Sequence, residues 1–237
     1  MNLLVLHFHN NIINIYINSI IYNTGLVSFM IQIIIQIIST YALFYISSGP
    51  IIFGQLLIIE YIVNMLEGTY YFWMLTSMIT KQTNITLKRY YDWFLSTPLM
   101  LFTLIIYFKE TKYPQQFTIE EIVYTEKNTI CIILGLNLLM LIFGYLVEIG
   151  CLSTIVGVIL GFIPFIIQFY LIYIQYVIDN TELSVILFNW FVIIWALYGI
   201  AALMNYTIKN AMYNILDLFS KNFFSLFLAY KVVTGVS

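Results

Sequence analysis

Asp217-Leu218-Phe219-Ser220-Lys221 lies inside the last apolar run of the chain, and the state of its lysine decides what the other spans must provide. Tyr213, Leu216, Phe219, Phe223 and Phe224 flank Lys221, and the run continues through Leu226, Phe227 and Leu228 toward Lys231. An ammonium at that depth cannot easily snorkel to water, so it is partnered or chemically changed. Asp217 lies four residues earlier, on the same helix face about 6 Å along the axis. The pair reads equally as a buried structural ion pair or as an amine held for Schiff-base chemistry, with Asp217 balancing the charge.

Working outward, 62% of the 237 residues are hydrophobic and 8% are Asp, Glu, Lys or Arg. That charged fraction is about a third of a soluble domain's, so the chain is an integral membrane protein surrounded by lipid. A net charge of -2 points to no nucleic-acid partner. Cys131 and Cys151 stand at opposite ends of one span, about 30 Å apart, too far to bridge. No zinc or other metal set is apparent: His7 and His9 are alone near the N-terminus.

Seven apolar runs near the ~20 residues a bilayer requires are expected over 26–46, 51–78, 90–108, 129–148, 152–177, 185–205 and 210–231. Short turns join them: Ser47-Ser48-Gly49-Pro50, Thr80–Leu87, Glu148–Cys151, Asp179–Leu183 and Thr207–Asn210. Such turns force antiparallel neighbours, hence an all-α, seven-helix transmembrane bundle over 25–232. Lys109–Asn128 is expected to be a longer loop, holding four of the eleven acids. Residues 1–24 read as an N-terminal extension, a short helix lying in the membrane interface, and 233–237 as a tail. Lysine counts on the two sides, four against three, do not decide the orientation.

Glu60, Glu67, Arg89, Asp92, Asp217 and Lys221 are left inside the bundle, where charged groups face one another. Arg89, the only arginine, opens Arg89-Tyr90-Tyr91-Asp92-Trp93-Phe94-Leu95-Ser96-Thr97-Pro98. Arg89, Asp92 and Ser96 share a helix face. They read either as an interfacial anchor with a capping Asp, or as a cation and an anion joining Asp217 around Lys221.

These residues resemble the microbial (type 1) retinal-binding rhodopsins. The third span follows that family's Arg-Tyr-x-Asp-Trp-x-x-Thr-Thr-Pro, with Ser96 for the first Thr. The last span follows its Asp-x-x-x-Lys. Trp195-Ala196-Leu197-Tyr198-Gly199 is similar to its Trp-x-x-Tyr-Pro, with Gly for Pro, and Asn137, Met140 and Gly144 have its fourth-span pocket spacing. The resemblance implies all-trans retinal as cofactor, bound as a Schiff base on Lys221, with Asp92 and Asp217 as counterions tuned by Arg89. It implies a pocket of Tyr90, Trp93, Ser96, Thr97, Met100, Met140, Gly144, Trp195, Tyr198, Gly199 and Ser220. It also implies an outside N-terminus and a photoreceptor rather than an enzyme. Ala202 stands where the family has a second pocket Trp, which leaves the ring end of the pocket and the fifth span's share open.

The output has three readings. An outward proton pump of the family needs a carboxylate eleven residues past the counterion, where this chain has Thr103, and a glutamate eight before the last-span Asp, where it has Lys209. Both departures weaken that reading. A sensory rhodopsin without transport is the second. The third starts from Glu60 and Glu67, seven residues apart on one face of the second span, with Ser28 and Gln32 on the first and Asn222 beside Lys221. This set reads as interhelical hydrogen bonds that fix packing or as a path for small cations. It resembles the group I viral rhodopsins, the viral channelrhodopsins, as does the run Tyr213–Phe223. That resemblance implies a light-gated cation channel. Glu67 would sit near the Schiff base, Glu60 nearer the cytoplasm with Asn222, and Ser28 and Gln32 on the extracellular side.

Overall fold

The structure, a computed structural model, describes residues 2–46, 51–80 and 84–235. The Ser47-Ser48-Gly49-Pro50 turn and Lys81 lie outside the described residues. Among the described residues seven helices run in order: α1 Asn2–Leu43, α2 Ile51–Thr80, α3 Ile85–Lys112, α4 Ile119–Glu148, α5 Thr154–Ile172 continued by a π turn Tyr173–Val177, α6 Glu182–Ala202, and α7. The last is an α-helix Tyr206–Asp217, a π turn Leu218–Asn222 and an α-helix Phe223–Thr234. Helices α1 to α6 each contain a stretch long and apolar enough to cross a bilayer, and the chain is a multi-pass membrane protein. Lipid-facing isoleucines such as Ile37, Ile159 and Ile193 are at least half exposed, as expected where lipid replaces water.

The structure departs locally from the sequence expectation in three places. The stretch ahead of the first span is no separate interfacial helix: α1 is helical from Asn2 without a break. Its 42 residues reach about 63 Å, roughly twice a bilayer's apolar core. The expected 109–128 loop shrinks to 113–118, because Thr118 and Glu121 form a reciprocal capping box that starts α4. Glu120 and Glu121 then belong to a helix N-terminus, where acids are favourable. The third departure is the π turn in α7, which no residue pattern announces.

The remaining ends are capped conventionally. Asn84, Thr181 and Asn205 accept from the backbone N–H groups of Leu87, Ser184 and Ile208. Gly150, at φ +79°, closes α4, with Cys151 N–H donating to Leu146 O at 2.8 Å. Glu148 and Lys209 meet at one face of the bundle, the Glu148 end, at 2.6 Å. Lys109 and Glu126 meet at the other, the Glu126 end, at 2.7 Å.

Candidate functional site

Lys221 is 1% exposed, and its Nζ lies 2.5 Å from Asp92 Oδ2, across the bundle on α3. The expected same-face pairing with Asp217 does not form. Between them the chain makes the π turn Leu218–Asn222, and the wider turn rotates Lys221 out of the i, i+4 stack. Trp190 on α6 donates its indole N–H to Phe219 O within that turn, at 3.2 Å.

Asp217 instead receives Arg89 Nη1 at 2.5 Å, Tyr71 hydroxyl at 2.9 Å and Tyr198 hydroxyl at 2.7 Å. Arg89 is fully buried and also donates to Asn214 Oδ1 at 2.5 Å. Its guanidinium lies 4.8 Å from the Tyr70 ring centroid and 5.7 Å from that of Tyr213. Two buried ion pairs, Arg89–Asp217 and Lys221–Asp92, therefore join α3 to α7. Ser96, on the Asp92 face, is fully buried with no partner for its hydroxyl among the described residues.

A cavity with about 130 Å³ of water-accessible space begins at Lys221. Of the expected pocket residues, Tyr90, Trp93, Thr97, Met100, Met140, Gly144, Trp195, Tyr198, Gly199 and Ser220 line it, and Ser96 does not. Asn137 stands behind the wall and donates to Thr97 Oγ1 at 2.8 Å. The fifth helix contributes Gly157, Val158, Gly161, Phe162 and Phe165, beside Ala202 and Glu148. The sequence singles out Ala202 alone among these; the fifth-helix residues carry no charge or motif, and apolar residues give no periodic signal inside an all-apolar helix. A Cβ at Gly144 would lie 2.3 Å from the Tyr90 hydroxyl, so the glycine keeps that wall open.

The polar residues of α1, α2 and α7 form a seam beside this cavity. From the Glu148 end, Ser28 Oγ donates to Asn214 O at 2.8 Å, and Gln32 Nε2 donates to Asn64 O. Asn222 Nδ2 donates to Glu67 Oε2 at 3.3 Å, and Asn64 Nδ2 to Ser225 Oγ at 2.7 Å. Thr103 Oγ1 donates to Glu60. Asn222 thus pairs with Glu67, not with Glu60 as expected, because α7 runs antiparallel to α2 and Asn222 sits at Glu67's depth. Both glutamates are fully buried. Gln32 Oε1, Glu60 Oε2, Asn64 Oδ1, Glu67 Oε1 and Asn222 Oδ1 have no protein partner among the described residues.

Residues 23–235 match the family model described as bacteriorhodopsin-like protein. The chain is a microbial rhodopsin. The crystal structure of the viral rhodopsin OLPVRII is similar to it, at 25% identity over 92% of this chain and 99% of that one, with a TM-score of 0.81. The blue light-absorbing proteorhodopsin from Med12 matches at 21% identity, 90% and 97% coverage and a TM-score of 0.71. Xanthorhodopsin, a light-driven ion pump with dual chromophore, matches at 16% identity, 92% and 94% coverage and a TM-score of 0.74. No curated protein sequence matches this rhodopsin.

Membership implies a retinal chromophore, and the residues present fit one. Lys221 brings an amine to the cavity wall, Trp93, Trp195 and Tyr198 supply aromatic faces, and Asp92 supplies the adjacent negative charge. Asp92 Oδ1 is buried with no protein partner among the described residues. The rhodopsin with Gly144→Leu is expected to bind added retinal about tenfold more weakly or worse, since overpacking a cavity costs roughly 1–3 kcal/mol. A retinal titration followed by visible absorbance measures this.

Proposed function

We propose that this rhodopsin is a light-gated channel for small cations, with all-trans retinal attached at Lys221 and the N-terminus outside. The supporting observation is the seam of buried carboxylates and amides, whose unpaired oxygens stand between helices α1, α2 and α7. Buried polar atoms without protein partners cost about 1–3 kcal/mol each unless water reaches them. A packing role would leave no reason for so many unpaired acceptors in one column. Rings and rows of such groups replace a cation's hydration shell.

Bound retinal would supply light absorption and a change of shape on illumination. The chain's own groups do the rest. Asp92 Oδ2 is positioned to take the proton held at Lys221 Nζ. Asp217 stays tied to Arg89, Tyr71 and Tyr198 and keeps that charge from following. Asn222 follows Lys221 directly in the π turn, so movement at Lys221 is passed to the Glu67 carboxylate. Loosening that hydrogen bond joins the two halves of the seam. In this reading 25–232 is the retinal-binding unit, 1–24 its extension and 233–237 a tail. Likeness to a viral rhodopsin favours a viral source and a host-cell membrane.

Voltage-clamped recording under light tests the channel: the photocurrent reverses near the cation equilibrium potential. Glu67→Gln changes its amplitude several-fold while pigment forms as before; an unaltered current would take Glu67 out of the path. One observation favours a second reading, an outward proton pump. Glu60 reaches Thr103, the position where the family's pumps carry a proton-donating carboxylate, so α2 offers there what α3 lacks. A photocurrent of one sign at every voltage would select the pump. No photocurrent with a slow photocycle would select a sensory rhodopsin without transport.

A further inference from the structure

Lys231 belongs to neither ion pair and to no part of the seam described above. It lies ten residues past Lys221 on α7, toward the Glu126 end, and is 5% exposed. Among the described residues its Nζ has no hydrogen bond and no carboxylate partner; its neighbours are the rings of Phe53 at 5.9 Å and Phe227 at 6.0 Å. Tyr107 on α3 completes this cage, with ring centroids 5.8 Å from Phe53 and 5.4 Å from Phe227 and a buried hydroxyl that has no partner among the described residues. The lysine stem is buried against these rings while its ammonium faces no carboxylate among the described residues, so it sets an uncompensated positive charge at this end of the bundle.

Its place along the bundle gives it a task. Phe53 is seven residues from Glu60 on α2, so the cage lies about two turns beyond the last carboxylate of the seam. Between them stand Leu56 and Leu57, both fully buried. A cation leaving Glu60 toward the Glu126 end meets first an apolar layer and then the Lys231 ammonium.

We propose that Lys231, held over Phe53 and Phe227, is the charged stopper of the seam at its Glu126 end. It repels cations there and repels divalent ones twice as strongly, so it limits conductance and disfavours calcium against sodium. This role rests on the channel reading for its consequence, while the closure itself can be tested without current.

Two experiments on the full chain decide it. In recordings, Lys231→Gln should raise the calcium-to-sodium permeability ratio about tenfold, since a unit charge beside a low-dielectric path acts more strongly on a divalent than on a monovalent cation. Lys231→Arg should behave as wild type. An unchanged ratio in Lys231→Gln overturns the proposal. The second experiment places a thiol between Glu60 and the cage, as Leu57→Cys with Cys131→Ser and Cys151→Ser. Labelling by a water-soluble cationic thiol reagent in the dark should be about tenfold faster when Lys231→Ala is added. Unaltered absorption spectra show that the variants fold. Equal labelling rates overturn the stopper whether or not the wild type conducts. Faster labelling in a protein that passes no light-driven current keeps the stopper and removes the channel.

Discussion

Lys221→Ala protein supplied with retinal is expected to stay colourless, where the wild type develops a visible band. Lys221 is the amine that lines the cavity, and no other side chain there can form the imine linkage to an aldehyde. Lys221→Arg should fail as well, because guanidinium stays protonated and is no nucleophile. The substitution also strands Asp92, whose side chain is 2% exposed. Removing one partner of a buried pair costs about 3–5 kcal/mol, so the alanine chain alone invites the objection that it misfolded. Adding Asp92→Asn removes the stranded charge. The double variant should regain thermal stability and remain colourless. A visible band in either variant would displace Lys221 from its role.

Arg89→Gln carries the second large effect. Arg89 is fully buried against Asp217 at 2.5 Å and shares Asn214 and four aromatic rings. Without it Asp217 keeps only the hydroxyls of Tyr71 and Tyr198. The loss should again be about 3–5 kcal/mol, a fall in Tm of roughly 10 °C for a chain of this length. Thermal bleaching of the visible band measures it. Asp217→Asn in the same chain should recover much of the loss, because the two residues act as one unit. Additive losses in the double variant would mean that the pair does not hold the fold together.

The parts of this site that were legible in the sequence share a physical cause: charge is rare in an apolar span, so each charged residue is informative. Asp92, Arg89, Asp217, Lys221, Glu60 and Glu67 could each be singled out on that ground. The aromatic and methionine walls needed the family pattern as well, since an isolated Trp or Met in such a helix is ordinary core. The fifth-helix wall of Gly157, Val158, Gly161 and Phe162 had neither charge nor motif and stayed hidden. Lys231 was visible as a lysine near a helix end with Phe227 one turn before it, but its burial against Phe53 depends on how α2 packs against α7.

Taken by itself, the amino-acid order determined that seven helices cross a membrane and that a buried lysine and three charged companions meet inside them. Those follow from run length and from the cost of charge in hydrocarbon, both local properties. Tertiary structure alone decided who partners whom: Asp92 with Lys221, Asp217 with Arg89, Asn222 with Glu67 and Glu60 with Thr103. The reason is geometric. A single π turn at Leu218–Asn222 changes the facing of every residue around it, and the depth at which antiparallel helices meet is set by their packing rather than by the spacing within any one of them.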